Sequence, residues 1–231
     1  MHRDDGLCNC FGAPAKDEGP HELDFHREEQ DTSCDAWNLL LEMIERCALD
    51  GTAKLDPSAH LNLEDWNKII TLPGTISKLK RVKTLFLYGS NLVRIPPTIG
   101  DMQQLEVFDV YTSYRLHWLP FEIMRCENLR YSAFSTRALY GNYKFRPPFP
   151  SLPSVAYDPE PEQCSICGSE IGVQGSVQRW ISLHVARDVV PLLVHACSMQ
   201  CIERLPAPAT GYIPNPHLGG LGIVQPPREN I

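Results

Sequence analysis

The sequence predicts an α/β chain: a short solenoid of strand-and-turn coils, an N-terminal capping helix ahead of it, and a small C-terminal module behind it. Three observations carry that expectation. Prolines recur at positions 73, 96 and 120, spaced 23 and then 24 residues apart, each in the same local motif. Ahead of them, "CDAWNLLLEMIERCALDG" at 34–51 has helical apolar spacing. Behind them come two cysteine pairs, "CSIC" at 164–167 and "CSMQC" at 197–201.

Residues 1–32 are rich in Gly, Pro and charge, hold Cys8 and Cys10, and are expected to stay disordered. They contain no apolar stretch of the kind a secretory signal needs. The helix follows. Trp37, Leu40, Leu41, Ile44 and Ala48 fall on one face at a period of 3.6. Ser33 or Asp35 is the expected N-cap, and Gly51 the expected stop. An array of stacked coils needs its open end covered, and this helix is placed to do so.

The coils are read from "TLPGTISKL" at 71–79, "RIPPTIGDM" at 94–102 and "WLPFEIMRC" at 118–126. Each proline is followed three residues later by Ile76, Ile99 or Ile123, and three further on by Leu79, Met102 or Cys126. Strand-like segments come next, from Val82, Leu105 and Leu129. Alternation turns Leu85 and Leu87, Phe108 and Val110, and Ser132 and Phe134 inward. The prolines argue against a helical array, because they recur where helices would break. Cys126 takes the register of Leu79 and Met102 and reads as a small core residue.

This pattern resembles leucine-rich repeats of the short intracellular type with an LPxxIxxL core, over roughly residues 55–152. The resemblance implies a curved parallel sheet. The match weakens where the turn Asn of the family gives way to Ser90, Ser113 and Arg137, and where an extra residue enters near Tyr114 and Arg115. The expected organisation is therefore a disordered 1–32, a capping helix plus repeats at 33–152, a linker at 153–163, a zinc-finger-like module at 164–205, and a Pro/Gly-rich tail at 206–231. For the tail, a strip laid over the surface and a loose end are equally good readings.

Cys164, Cys167, Cys197 and Cys201 form a C-x2-C … C-x3-C pattern. Two close pairs can surround one Zn2+ tetrahedrally, each pair gripping from a tight turn or helix start. Val-, Ile- and Leu-rich stretches between the pairs read as a hairpin. The whole looks like a treble-clef or ribbon zinc finger with a structural Zn2+. Free thiols or a redox pair are the alternatives, and His184 or His195 could replace a cysteine ligand.

The chain carries a formal charge of −7 over 231 residues. Only Arg179, Arg187 and Arg204 are basic between 159 and 205, so nucleic acid is not an expected partner. No run of about 18 apolar residues is present, so no membrane span is expected and the cytoplasm is the default compartment. No Gly-rich phosphate loop, G-x-S-x-G elbow or H-E-x-x-H pair occurs. In "HWLPFE", His117 reads as a turn residue and Glu122 as a surface one. The sequence therefore points away from an enzyme. It points to a protein partner, left unidentified, bound on the concave face by Phe86, Tyr88, Asp109, Tyr111 and Tyr131. The rival reading is a ubiquitin-ligase-like enzyme or adaptor whose zinc module recruits a second protein.

Overall fold

A computed structural model describes residues 25–152, 161–173 and 175–227. Most of the expected disordered segment, with Cys8 and Cys10, and most of the expected linker lie outside them. The first helix, α1 (Asp35–Asp50), buries Ala36, Trp37, Leu40, Ile44 and Cys47. Its N-cap is Cys34, with no side-chain capping bond, rather than Ser33 or Asp35. Asp31 intercepts the Ser33 hydroxyl and amide instead, at 2.6 and 2.9 Å. Gly51 closes the helix in the left-handed conformation at φ 63°, as a helix C-terminus favours.

Four short strands follow: β1 (Lys54–Leu55), β2 (Thr84–Phe86), β3 (Val107–Val110) and, after an interruption, β5 (Tyr131–Phe134). A five-residue helix, α2 (Leu63–Asn67), sits between the first two. All four strands pair in parallel in the order β1-β2-β3-β5. Thr84 pairs with Val107, and Val107 with Tyr131. Between each of the first three strands and the next coil comes a 3-10 turn opened by a proline, Pro73 before Gly74–Lys78, Pro96 before Pro97–Asp101 and Pro120 before Phe121–Arg125, whereas the turn after β5, Thr136–Ala138, is opened by Ser135. Inside lie Leu85, Leu87, Ile76, Ile99, Met102, Leu105 and Phe108, all buried. Each such side chain contributes about 1.5–3 kcal/mol on leaving water. Ser90 and Ser113 stack in the interior and share a hydrogen bond of 2.6 Å.

The expectation of a short solenoid with an appended C-terminal module is overturned here. The chain is an α/β fold of two sheets with three α-helices among the described residues. β4 (Leu119–Pro120) belongs to the second sheet, of order β4-β7-β6. It runs parallel to β7 (Asp188–Ala196), with Leu119 opposite Leu192, and β7 pairs antiparallel with β6 (Val177–Val185). The physical reason is that this hairpin of two nine-residue strands is apolar on both faces. One face, with Ile181, Leu183, Val190, Leu192 and Val194, joins the core beneath the parallel sheet. The other, with Trp180 and Leu193, joins a second cluster with Trp118, Tyr140, Phe149 and Ile213. A hairpin needing cover on both sides packs into the middle of the structure, not beyond its end. Its turn also meets β5: the Ser132 hydroxyl lies 3.1 Å from both Val185 O and Asp188 Oδ2.

The tail is laid down as a strip. Trp180 and His217 exchange backbone hydrogen bonds of 2.9 and 3.0 Å, and Leu152 N–H donates to Leu218 O at 2.7 Å. His217 Nδ1 accepts from the Gly219 amide at 3.1 Å, and burial holds the ring's pKa down at about 4. The unfolded chain would take up this proton near 6.5, the folded chain only near 4. Stability is therefore full above the unfolded value and falls as pH drops from about 6.5 to about 4, by up to ~3 kcal/mol for this ring. Buried His195 acts in the same sense. Glu122 and Asp188, raised by burial, act in the opposite sense. Denaturant midpoints at pH 7 and pH 4.5 should differ less in His217→Asn, whose amide oxygen can keep the Gly219 bond, than in the wild-type chain. Equal differences would contradict this reading.

Candidate functional site

Cys164 and Cys167 are held by a tight turn. Gly168 N–H donates to Cys164 O at 3.0 Å, and Cys164 N–H to Ser169 O at 2.8 Å. That path needs φ 73° at Gly168, a conformation few other residues adopt. The turn is docked on β7: Ser165 N–H donates to His195 O at 2.7 Å, and His195 N–H to Ser165 Oγ at 3.0 Å. Arg125, at the end of the third 3-10 turn, donates to Ser165 O at 3.1 Å. The second pair comes off the end of β7. Cys197 precedes a short helix, α3 (Met199–Ile202), whose N-cap Ser198 accepts from the Cys201 amide.

These elements bring all four sulfurs within 4.8 Å of one another. Cys167 and Cys197 Sγ are 3.6 Å apart, and Cys197 and Cys201 Sγ 3.7 Å. A disulfide would need about 2.0 Å. Four sulfurs at about 2.3 Å from a common centre would instead be roughly 3.8 Å from each other in a tetrahedron. The cluster can therefore hold a metal ion. Cys164 and Cys201 are buried, Cys197 is half-buried and Cys167 is exposed.

The charges point the same way. The hydroxyl and amide of Ser169, helped by the neighbouring thiols, hold Cys167 down at about 6. Cys197 is pushed up to about 12 by its contacts with Cys167 and Cys201, and Cys201 is raised chiefly by burial. The first thiolate forms readily and the next ones resist, because each new negative charge would lie against the first. A bound cation removes that resistance.

The two histidines weighed as substitute ligands stand outside this group. His184 is exposed on β6. His195 is buried, and its Nδ1 lies 3.0 Å from Ser176 Oγ. Cys126 is a core thiol, pushed up to about 12 by burial, with its Sγ 3.2 Å from Ile99 O.

The five residues expected to bind a partner lie on the outward face of the parallel sheet. Tyr88, Tyr111 and Tyr131 are 46%, 52% and 42% exposed, which is high for strand or strand-end aromatics. Phe86 and Tyr88 stack with centroids 6.0 Å apart, and Tyr111 lies 6.2 Å from Tyr88. Phe86 and Asp109 are half-buried neighbours across the β2–β3 pair.

In "HWLPFE" the surface reading of Glu122 is corrected, and the turn reading of His117 is extended. His117 is buried, donating from Nδ1 to Ala138 O at 2.6 Å and stacked on His26 and Tyr140. Glu122 is also buried, and loss of water raises its carboxyl pKa. It borders a groove of about 670 Å³ with Trp37, Pro73, Arg94, Pro96 and Asp101. A signal for Glu122 existed. It stands two residues after its proline, where Thr75 and Thr98 stand in the earlier turns, and both of those hydroxyls are buried. Arg94, also buried, carried no comparable signal.

No protein-family model matches this chain, and a search of curated proteins finds no match either.

Proposed function

We propose that this chain is a non-catalytic protein-binding protein, which docks a partner on the outer face of its parallel sheet and uses one structural Zn2+ to brace the cysteine cluster. The observation that carries the binding reading is the row of rings from Phe86 through Tyr88 to Tyr111, the first at the end of β2 and the others just past the ends of β2 and β3, where the Gly89 amide still donates to Tyr111 O at 2.9 Å. Large rings held on a rigid surface bury much area at little entropic loss, which makes them effective anchors. The partner is a protein, and the compartment is the cytoplasm, where the seven free cysteines of the described residues would stay reduced.

The donor set favours zinc. Four thiolates in a tetrahedron suit Zn2+ or iron, and zinc does no redox chemistry in a closed site. A turn, a hairpin and a short helix, in that order, supply the ligands, which supports a treble-clef or ribbon-like finger. Four protein ligands leave no open position for a substrate, so the ion's role is structural.

The test is affinity purification with the full chain and with a variant carrying Phe86→Ala, Tyr88→Ala, Asp109→Ala and Tyr111→Ala, its fold checked by circular dichroism. Loss of two or more anchors at about 2 kcal/mol each should weaken every partner by more than about tenfold. Unchanged retention of all partners by a folded variant would overturn the reading.

A further inference from the structure

The aromatic face carries one charge that nothing else on it answers. Asp109 sits in the middle of β3, between Phe86 on β2 and Ala133 on β5. Tyr111 follows two residues later on the same face, and its amide donates to Asp109 Oδ1 at 2.9 Å. Among the described residues no ion pair reaches this carboxylate.

The nearby cations are engaged elsewhere. Lys54 Nζ lies 5.0 Å over the Phe86 ring and 2.7 Å from Asp56 Oδ2. Arg187 lies 5.1 Å over Tyr131, beside the far strand. Phe86 is thus already met by Lys54, and the centre of the face combines the carboxylate with the exposed rings of Tyr88 and Tyr111. Ala133 raises only a methyl group next to Asp109, which leaves the carboxylate approachable from that side.

We propose that this centre receives a cationic side chain, arginine or lysine, from the protein partner, with Asp109 as counter-ion and Tyr88 and Tyr111 as the flanking rings. The inference rests on the protein-binding reading above and names the partner's chemistry. An apolar or acidic group closing over this face would strip water from the carboxylate without replacing it, which is costly, and a neutral donor would leave its charge unanswered. A guanidinium or ammonium replaces that water with a charge-assisted hydrogen bond and gains the attraction of the ring faces.

Two small probes test this on the full chain by NMR: N-acetyl-arginine methylamide, and its neutral isostere N-acetyl-citrulline methylamide. The arginine probe should shift the signals of Tyr88, Asp109 and Tyr111 saturably. The citrulline probe should bind about fivefold more weakly or worse, since charge and cation–π attraction are both lost. Asp109→Asn keeps an acceptor for the Tyr111 amide and should weaken the arginine probe by a similar factor. Equal binding of the two probes, no effect of Asp109→Asn, or no saturable shift at the probe's solubility limit would overturn the proposal. Partner retention separates the two readings. If Asp109→Asn keeps the partner at wild-type affinity and the fourfold alanine variant loses it, the face binds protein without a cation. If both variants keep it, the protein-binding reading itself falls.

Discussion

Replacing Cys167 with serine is expected to destabilise the protein by about 3 kcal/mol and to weaken metal retention at least a hundredfold, taking one ligand's share of a structural zinc site's binding energy. The size of that effect is diagnostic because Cys167 is exposed. An exposed side chain without a special role changes stability by no more than about 0.5 kcal/mol when replaced. Packing therefore predicts a near-neutral substitution, and metal ligation predicts a large loss. Cys164→Ser would be less informative, since Cys164 is fully buried and its replacement disturbs the core in any case. Chelation should reproduce the Cys167→Ser effect in the wild-type chain and add little in the variant. The loss should be felt along β7, because the cysteine turn is bonded to His195 and the second pair leaves the strand's end. Denaturant melts of both proteins, with and without chelator, give the four values needed. A variant as stable as the wild type would show that the sulfurs are assembled by the fold alone.

Replacing Trp180 with alanine is the other substitution with a large expected cost, about 3–5 kcal/mol. Trp180 has no exposed surface. Its ring meets Trp118 at 5.8 Å, Tyr140 at 5.9 Å and Phe149 at 5.7 Å, the first two edge to face. Its indole N–H donates to Pro150 O at 3.0 Å, so truncation also leaves a buried carbonyl without that partner. These contacts join β6, the segment before β4, and the chain around 149–152. Its backbone also holds the tail at His217. Amide exchange at His217 and Leu152 should therefore quicken in Trp180→Ala beyond what the global loss explains. A loss under about 1 kcal/mol would mean that the second cluster is not a packed core.

Much of the interior was legible in the sequence. Strand alternation placed Leu85, Leu87, Phe108, Val110, Ser132 and Phe134 inside, and all are buried. The signal was strong because strand period and coil spacing constrain the same residues. The cysteine cluster was legible for a related reason: each pair is local, so only one long-range meeting had to be inferred. The sheet arrangement was not legible. Leu119–Pro120 looks like Leu72–Pro73 and Ile95–Pro96 in sequence, yet only the first forms a strand with β7. What differs is a partner supplied by Leu192 and Leu193, far along the chain, and no local pattern encodes that choice. The tail was ambiguous because Ile213 and Ile223 sit among Pro and Gly with no period. Their burial depends on Trp118, Phe149 and Trp180, which create the apolar surface they cover.

The most direct test of the metal account is the molar ratio of transition metal to protein in freshly purified full-length chain, measured by elemental analysis alongside a thiol count. One zinc per chain, with Cys164, Cys167, Cys197 and Cys201 shielded from thiol reagents until chelator is added, is the predicted result. No bound metal, with the accessible thiols of Cys167 and Cys197 reactive in folded protein before any chelator is added, would contradict the account, and two zinc ions per chain would favour a ligase-like module over a single structural brace.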